Sequence, residues 1–308
     1  LACAAAACSL VTSLDGLTGG SGGGPDSSAG DDAAASNADG NVGVNPGDDG
    51  APLGDDGAPG DDGGAQGFDA GDAAPFCASQ SPAPTFCDDF DENPLDAAAF
   101  TAPWDQVTQT GGSVVRSGGI VTSPPLAMLS TATSPVTQSI DLAAYKVFPA
   151  LTKLSDLNLA FDVYVASADK TNKSDAVLAA IELVGAFGER WALELEVSYE
   201  AVDGGGALDV LFSENRDPVD GGGSGYSSHA VAQKLPLGAW TRVTMDATAS
   251  PTGATTIALH FGATEVAKYA ITVDLLDGQP EILVGLTYAS ESSEGWAARY
   301  DDVTFDVE

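Results

Sequence analysis

The sequence predicts an all-β fold, an antiparallel β-sandwich of the jelly-roll kind, preceded by a disordered Gly/Asp-rich tail. Three observations predict it. From Phe86 to the end, apolar residues recur at every second position in short runs, the period of a half-buried strand. Gly-rich turns separate those runs: "DGGG" at 203–206, "DGGGSG" at 220–225, "SPTG" at 250–253 and "DGQP" at 277–280. Between about Gly19 and Pro75 there is no Lys or Arg and a single aromatic, Phe68, so that stretch cannot bury enough apolar surface to offset its ordering entropy.

In chain order, residues 1–8 read as the remainder of a signal segment, 9–75 as an acidic tether and 76–308 as the folded domain. Small residues precede Cys8, as in the lipobox of bacterial lipoproteins, and Ser9 follows it. That pattern implies lipidation at Cys8, with Cys3 as the second choice, an outer-membrane or cell-surface location, and membrane contact through the lipid anchor alone. An ordinary secreted protein is the alternative.

In the tether, "GDDG" recurs at 47–50, 54–57 and 60–63. The glycines are too few for a collagen register, and the aspartates do not alternate as calcium loops require. About 60 such residues behave as a coil spanning about 45 Å, and like charges extend it. The chain carries 45 acidic against 11 basic residues, a net charge of −34, which excludes a phosphate-binding surface and hence a nucleic-acid partner. It fits an exported, charge-stabilised monomer.

The strands follow. "LAFDVYV" (159–165) places Phe161, Val163 and Val165 on one face. "RWALELEVSY" (190–199) places Trp191, Leu193, Leu195, Val197 and Tyr199 together, opposite Arg190, Glu194, Glu196 and Ser198. "ALDVLF" (207–212), "WTRVTMDA" (240–247), "TTIALHF" (255–261), "EILVGLTY" (281–288) and "YDDVTFDV" (300–307) share the period. "DLAAYKVFPALTKL" (141–154) reads as a helical turn interrupted by Pro149. Cys77 and Cys87 are ten apart, a spacing a disulfide closes easily in an exported chain.

The second half of the domain resembles laminin-G-like and concanavalin-A-like jelly rolls. The resemblance rests on Gly238 and Trp240 before a strand, the apolar strand with Ile282, Val284 and Gly285, and the closing Trp296, Tyr300, Asp301 and Asp302. It implies that the first and last strands pair, which would bring "FCDDFDE" (86–92) beside "YDDVTFDV". It also implies a structural Ca2+ held by the Asp pairs, Asp89 and Asp302 foremost.

Two chemistries suit these residues. Exposed rings beside polar groups suit a sugar, which nominates Arg190, Tyr164, Tyr226 and Trp296 as ligand-binding, with Trp191 and Trp240 assigned to the core. Laminarinase-type glycosidases of this fold carry Glu-x-Asp-x-x-Glu on one strand. Here "ELEVSYE" offers Glu194 and Glu196, then Tyr199 where the third carboxylate belongs, and Glu200 one position on. The fold resemblance, together with the lipobox and tether, sets the expectation: a non-catalytic, surface-tethered lectin-like module binding glycan or another surface polymer. The alternatives are a glycoside hydrolase or polysaccharide lyase using Glu194 and Glu196, and a purely structural or adhesion protein.

Overall fold

The computed structural model describes residues 75–91 and 103–308, apart from 134, 137–139, 169–173, 200–205, 218–224, 251–253, 272–276 and 291–294. The readings of Cys8, of residues 1–74 and of Glu200 lie outside the described residues.

The described chain is two antiparallel sheets packed face to face, the predicted sandwich. The terminal sheet contains β1 (Phe86–Asp88), β3 (Gly112–Ser117), β4 (Ala127–Ala132), β7 (Asp156–Ser167), β12 (Trp240–Ala249), β13 (Thr255–Phe261), β14 (Thr264–Ile271) and β16 (Ala297–Val307). Its order is β14-β13-β12-β7-β16-β4-β3, with β1 also on β16. The glutamate sheet contains β2 (Gln106–Val107), β5 (Leu142–Val147), β6 (Leu151–Thr152), β8 (Ser174–Val184), β9 (Arg190–Tyr199), β10 (Ala207–Asp217), β11 (Gly225–Pro236) and β15 (Asp277–Ala289). Its order is β11-β10-β9-β8-β15-β5-β2, with β6 on β15. One short helix, α1 (Phe76–Ser79), precedes β1.

Alternation explains the layers. Phe161, Val163 and Val165 of β7, Trp191 to Val197 at every second position of β9, and Tyr300, Val303 and Phe305 of β16 are all buried between the sheets. Burying a side chain of this size stabilises by about 1.5–3 kcal/mol, so these rows decide which face of each strand turns inward. The chain begins and ends in one sheet, with Phe86 opposite Phe305 and Asp88 opposite Val303. Cys77 and Cys87 are bonded, tying α1 to β1.

Three local expectations are corrected. Residues 142–147 form a strand rather than a helical turn. Outward Ala143 is as apolar as its inward neighbours, and inward Lys146 sits at the sandwich end, where its ammonium reaches Pro103 O and Asp105. These two residues blur the period of two. Trp240 is not in the core: in β12 the inward row is Val243, Met245 and Ala247, and Trp240 falls out of that phase, its ring 5.6 Å from Tyr164 on the outer face. Trp296, expected as a free ring, is fully buried beside the start of β16. Strand β11 escaped the sequence reading because, as an edge strand, it buries only Val231 and Leu235.

Candidate functional site

β9 runs through the glutamate sheet between β8 and β10, and its even-numbered residues face away from the core. Glu194 and Glu196 are therefore on one face, about 7 Å apart along the strand. Cross-strand register surrounds them. Opposite Glu194 stand Ala180 of β8 and Ser213 of β10. Glu182 of β8 stands opposite Ala192 of β9 on one side and Glu281 of β15 on the other. Arg190, at the start of β9, pairs with Glu182 and lies 3.9 Å from Glu281. Ala180 and Ala192 leave a low floor between these longer side chains.

The two glutamates differ in surroundings. Burial, then the neighbouring carboxylates of Glu182 and Glu196, push Glu194 up to about 7, so much of it carries a proton at neutral pH. Glu196 is an acceptor: Tyr226 Oη donates to its Oε2 at 2.7 Å, and Ser213 Oγ donates to the same oxygen at 3.1 Å. Burial also raises Glu182 and Glu281, against the lowering effect of Arg190 on both. The face thus places a carboxyl whose proton affinity is raised about 7 Å along the strand from one fixed by hydrogen bonds, two groups of the kind acid–base catalysis uses.

Of the ligand-binding residues read from sequence, Arg190 and Tyr226 join Glu194 and Glu196 here. Tyr164 lies on the outer face of the other sheet, and Trp296 is in the core. Sequence reasoning missed Glu182, Ser213 and, further along the same face, Tyr145 and Asp141. Glu182 carried a usable signal, since in "AAIELV" it is the one polar residue of an apolar run.

The Asp pairs come together on the terminal sheet. Asp301 Oδ2 accepts the backbone N–H groups of Thr122 (2.8 Å) and Ser123 (3.0 Å), and Ser123 Oγ donates to Asp302 at 2.7 Å. Asp89 accepts from Cys77 N–H, and Asp91 from Leu126 N–H. The Arg242 guanidinium donates to the Asp302 carbonyl, faces Asp162 at 3.8 Å and lies under the Phe76 ring at 5.4 Å. Burial and mutual repulsion hold Asp91 and Asp162 near 6 and Asp301 near 7, in each case with burial the larger cause. Asp89 and Asp302 are close enough for the charge of one to raise the other. Among the described residues, no three metal-ligating side chains converge on one point. Among them, too, no helix is long and apolar enough to cross a membrane.

No family model matches the chain, and no curated protein sequence matches it. Solved structures do. An endo-β-1,4-glucuronan lyase from the fungus Trichoderma reesei aligns with a TM-score of 0.51 at 16% identity, over 72% of this chain and 95% of that one. An alginate lyase from Aplysia kurodai aligns with a TM-score of 0.42 at 9% identity, over 63% and 87%. Alginate lyase vAL-1 from a Chlorella virus aligns with a TM-score of 0.43 at 8% identity, over 67% and 93%. The first of these establishes a shared jelly-roll fold. The lectin-like, non-catalytic reading is corrected on the likeness to the glucuronan lyase, which favours the catalytic alternative.

Proposed function

We propose that the domain is a polysaccharide-cleaving enzyme whose site is the outer face of the glutamate sheet. The observation that carries this is the pair Glu194 and Glu196 on one face of one strand, the first among other carboxyls and the second held by hydrogen bonds from Tyr226 and Ser213. Glu194 donates its proton to the glycosidic oxygen as the C–O bond breaks. Glu196, positioned by Tyr226 and Ser213, either attacks the anomeric carbon or takes a proton from the attacking water, so that one water is added across the bond. A separation of about 7 Å between alternate strand residues suits the second course, in which a water sits between the carboxyls. Positioned acid–base groups of this kind contribute about 10²–10⁴-fold each.

The charge of the face favours hydrolysis of a glycan without carboxylates. Arg190, the cation beside these glutamates, is already engaged by Glu182 and Glu281. A second reading, β-elimination of a polyuronate, draws on Arg190 as the group that would neutralise the substrate carboxylate, with Glu194 again protonating the leaving oxygen. The likeness to the glucuronan lyase makes that reaction worth testing directly.

The test is incubation of the full chain with β-glucans, agars, alginate and glucuronan, with Glu194→Gln alongside. New reducing ends without the ultraviolet absorbance of an unsaturated uronate identify hydrolysis, and that absorbance identifies elimination. Absence of both on every polymer, or equal product from Glu194→Gln, overturns the proposal.

The reading places the enzyme outside the cytoplasm, held to an outer membrane or cell surface through Cys8 by the 9–75 segment. The Cys77–Cys87 bond supports export. Release of the Cys8→Ala protein from membranes, with wild type retained, is the expected outcome; wild type free in the medium overturns it.

A further inference from the structure

Register extends the site far beyond Glu194. Reading across the glutamate sheet, Glu194 faces Ala180, Ala180 faces Leu283, Leu283 faces Tyr145, and Tyr145 faces Gln106. In the other direction Glu194 faces Ser213, which faces Ser228. Directly opposed residues share a face, so this row crosses seven strands on the outer side. Between Glu194 and Tyr145 the row is apolar, made of Ala180 and Leu283. The next row carries small residues at Ala143 and Gly285. Gly285 has φ +139°, and a Cβ there would meet the Leu142 carbonyl at 2.4 Å, so packing itself keeps that position bare.

Tyr145 is the ring in this row, and its place is fixed. Its hydroxyl donates to Asp141 Oδ1 at 2.6 Å, and Thr108 Oγ1 donates to the same oxygen at 2.8 Å. Three strand spacings of about 4.8 Å put its backbone about 14 Å from that of Glu194. An aromatic ring held at one end of this row, with the exposed side chains of Ser228 and Tyr226 toward the other, matches a chain of pyranose rings. The C–H face of a sugar packs on an aromatic ring, while its hydroxyls need hydrogen-bonding partners.

We propose that the glycan lies across the strands along the Glu194 row, and that Tyr145, held by Asp141, forms a sugar-binding subsite several pyranose units from the cleaved bond. The proposal rests on the cleavage function proposed above and adds the direction of the substrate and a binding residue remote from the chemistry. Tyr145 acts on substrate binding only. Its removal therefore weakens long substrates and spares short ones that cannot reach from Glu194 to β5.

The experiment measures kcat and KM of the full chain, wild type and Tyr145→Ala, on the polymer that wild type cleaves and on its oligosaccharides of increasing length. A ring–sugar stack of about 0.5–1.5 kcal/mol predicts a KM raised about two- to tenfold on long chains. Values for kcat, and KM on the shortest cleaved oligosaccharide, stay at wild-type level. Tyr145→Phe keeps the ring and is expected to keep KM. Tyr145→Leu, which retains apolar bulk without an aromatic face, carries the same test if Tyr145→Ala melts below the assay temperature. Unchanged KM on long chains, or a loss independent of length, overturns the subsite while leaving cleavage intact. Absence of cleavage by wild type overturns both.

Discussion

The two outer faces of the sandwich are both crowded with carboxylates, yet they use them differently. On the terminal sheet the partners are largely backbone: Asp301 takes Thr122 and Ser123 N–H, Asp91 takes Leu126 N–H, and Asp89 takes Cys77 N–H. Those bonds stitch residues 121–126 and α1 onto the strands. On the glutamate sheet the partners are side chains: Glu196 with Tyr226 and Ser213, Glu182 with Arg190, Asp141 with Tyr145 and Thr108. A backbone N–H bonded to a carboxylate is an obligatory donor that loses its partner if the acid is removed. Hydroxyls rotate, and a carboxyl beside them exchanges protons without unfolding anything. The first face holds segments of chain together, and the second keeps its carboxyls free for the cleavage proposed above.

The largest effect that tests this contrast is on activity. Glu194→Gln is expected to lower kcat about 10²–10⁴-fold while leaving the melting temperature close to wild type. A comparable fall in melting temperature would show that Glu194 also holds the fold and would erase the distinction.

The next effect is on stability. Asp301→Ala strands the Thr122 and Ser123 backbone N–H groups, each costing about 1–3 kcal/mol where buried. Denaturant unfolding is expected to show a loss of at least about 2 kcal/mol, with activity per folded molecule retained. Full stability in Asp301→Ala would contradict a stitching role.

The pH dependence sharpens the comparison further. Asp91 and Asp162 near 6, and Asp301 and Glu194 near 7, all bind protons more tightly in the folded state than in the unfolded chain. Their contribution to stability is therefore complete below about pH 4 and is lost as pH rises through about 6 to 7. Thermal melting at pH 5 is expected to exceed that at pH 8, and Asp162→Asn is expected to flatten the slope. Calcium at Asp89 and Asp302, which the sequence suggested, would oppose this loss: EDTA would lower the melting temperature at pH 8, and Asp302→Asn would remove that sensitivity. Activity should fall above about pH 7 as the Glu194 acid loses its proton, a separate readout from melting.

The smallest effect concerns the junction with α1. Reducing Cys77–Cys87, which closes a ten-residue separation, is expected to cost at most about 3 kcal/mol in the chain-entropy view. Activity should not change, since the bond lies on the structural face.

The sequence by itself determined the sandwich and the outward side of β9. Alternation is a local property, so "RWALELEVSY" sorted Glu194 and Glu196 from Leu193, Leu195 and Val197 before any partner strand was known. The pairing of the first and last strands was legible only through the fold resemblance. Local pattern failed where side chains contradict their layer. Ala143 and Lys146 hid β5, the polar edge strand β11 showed too little periodicity, and Trp240 was assigned to the wrong phase of its strand. The tertiary structure alone decided the company that Glu194 keeps. Glu182, Ser213 and Tyr145 belong to three other strands, and what brings them into line is register. Register is set by the burial of the opposite faces of those strands. The residues of the site are thus placed by the core beneath them, through contacts that no window of sequence contains.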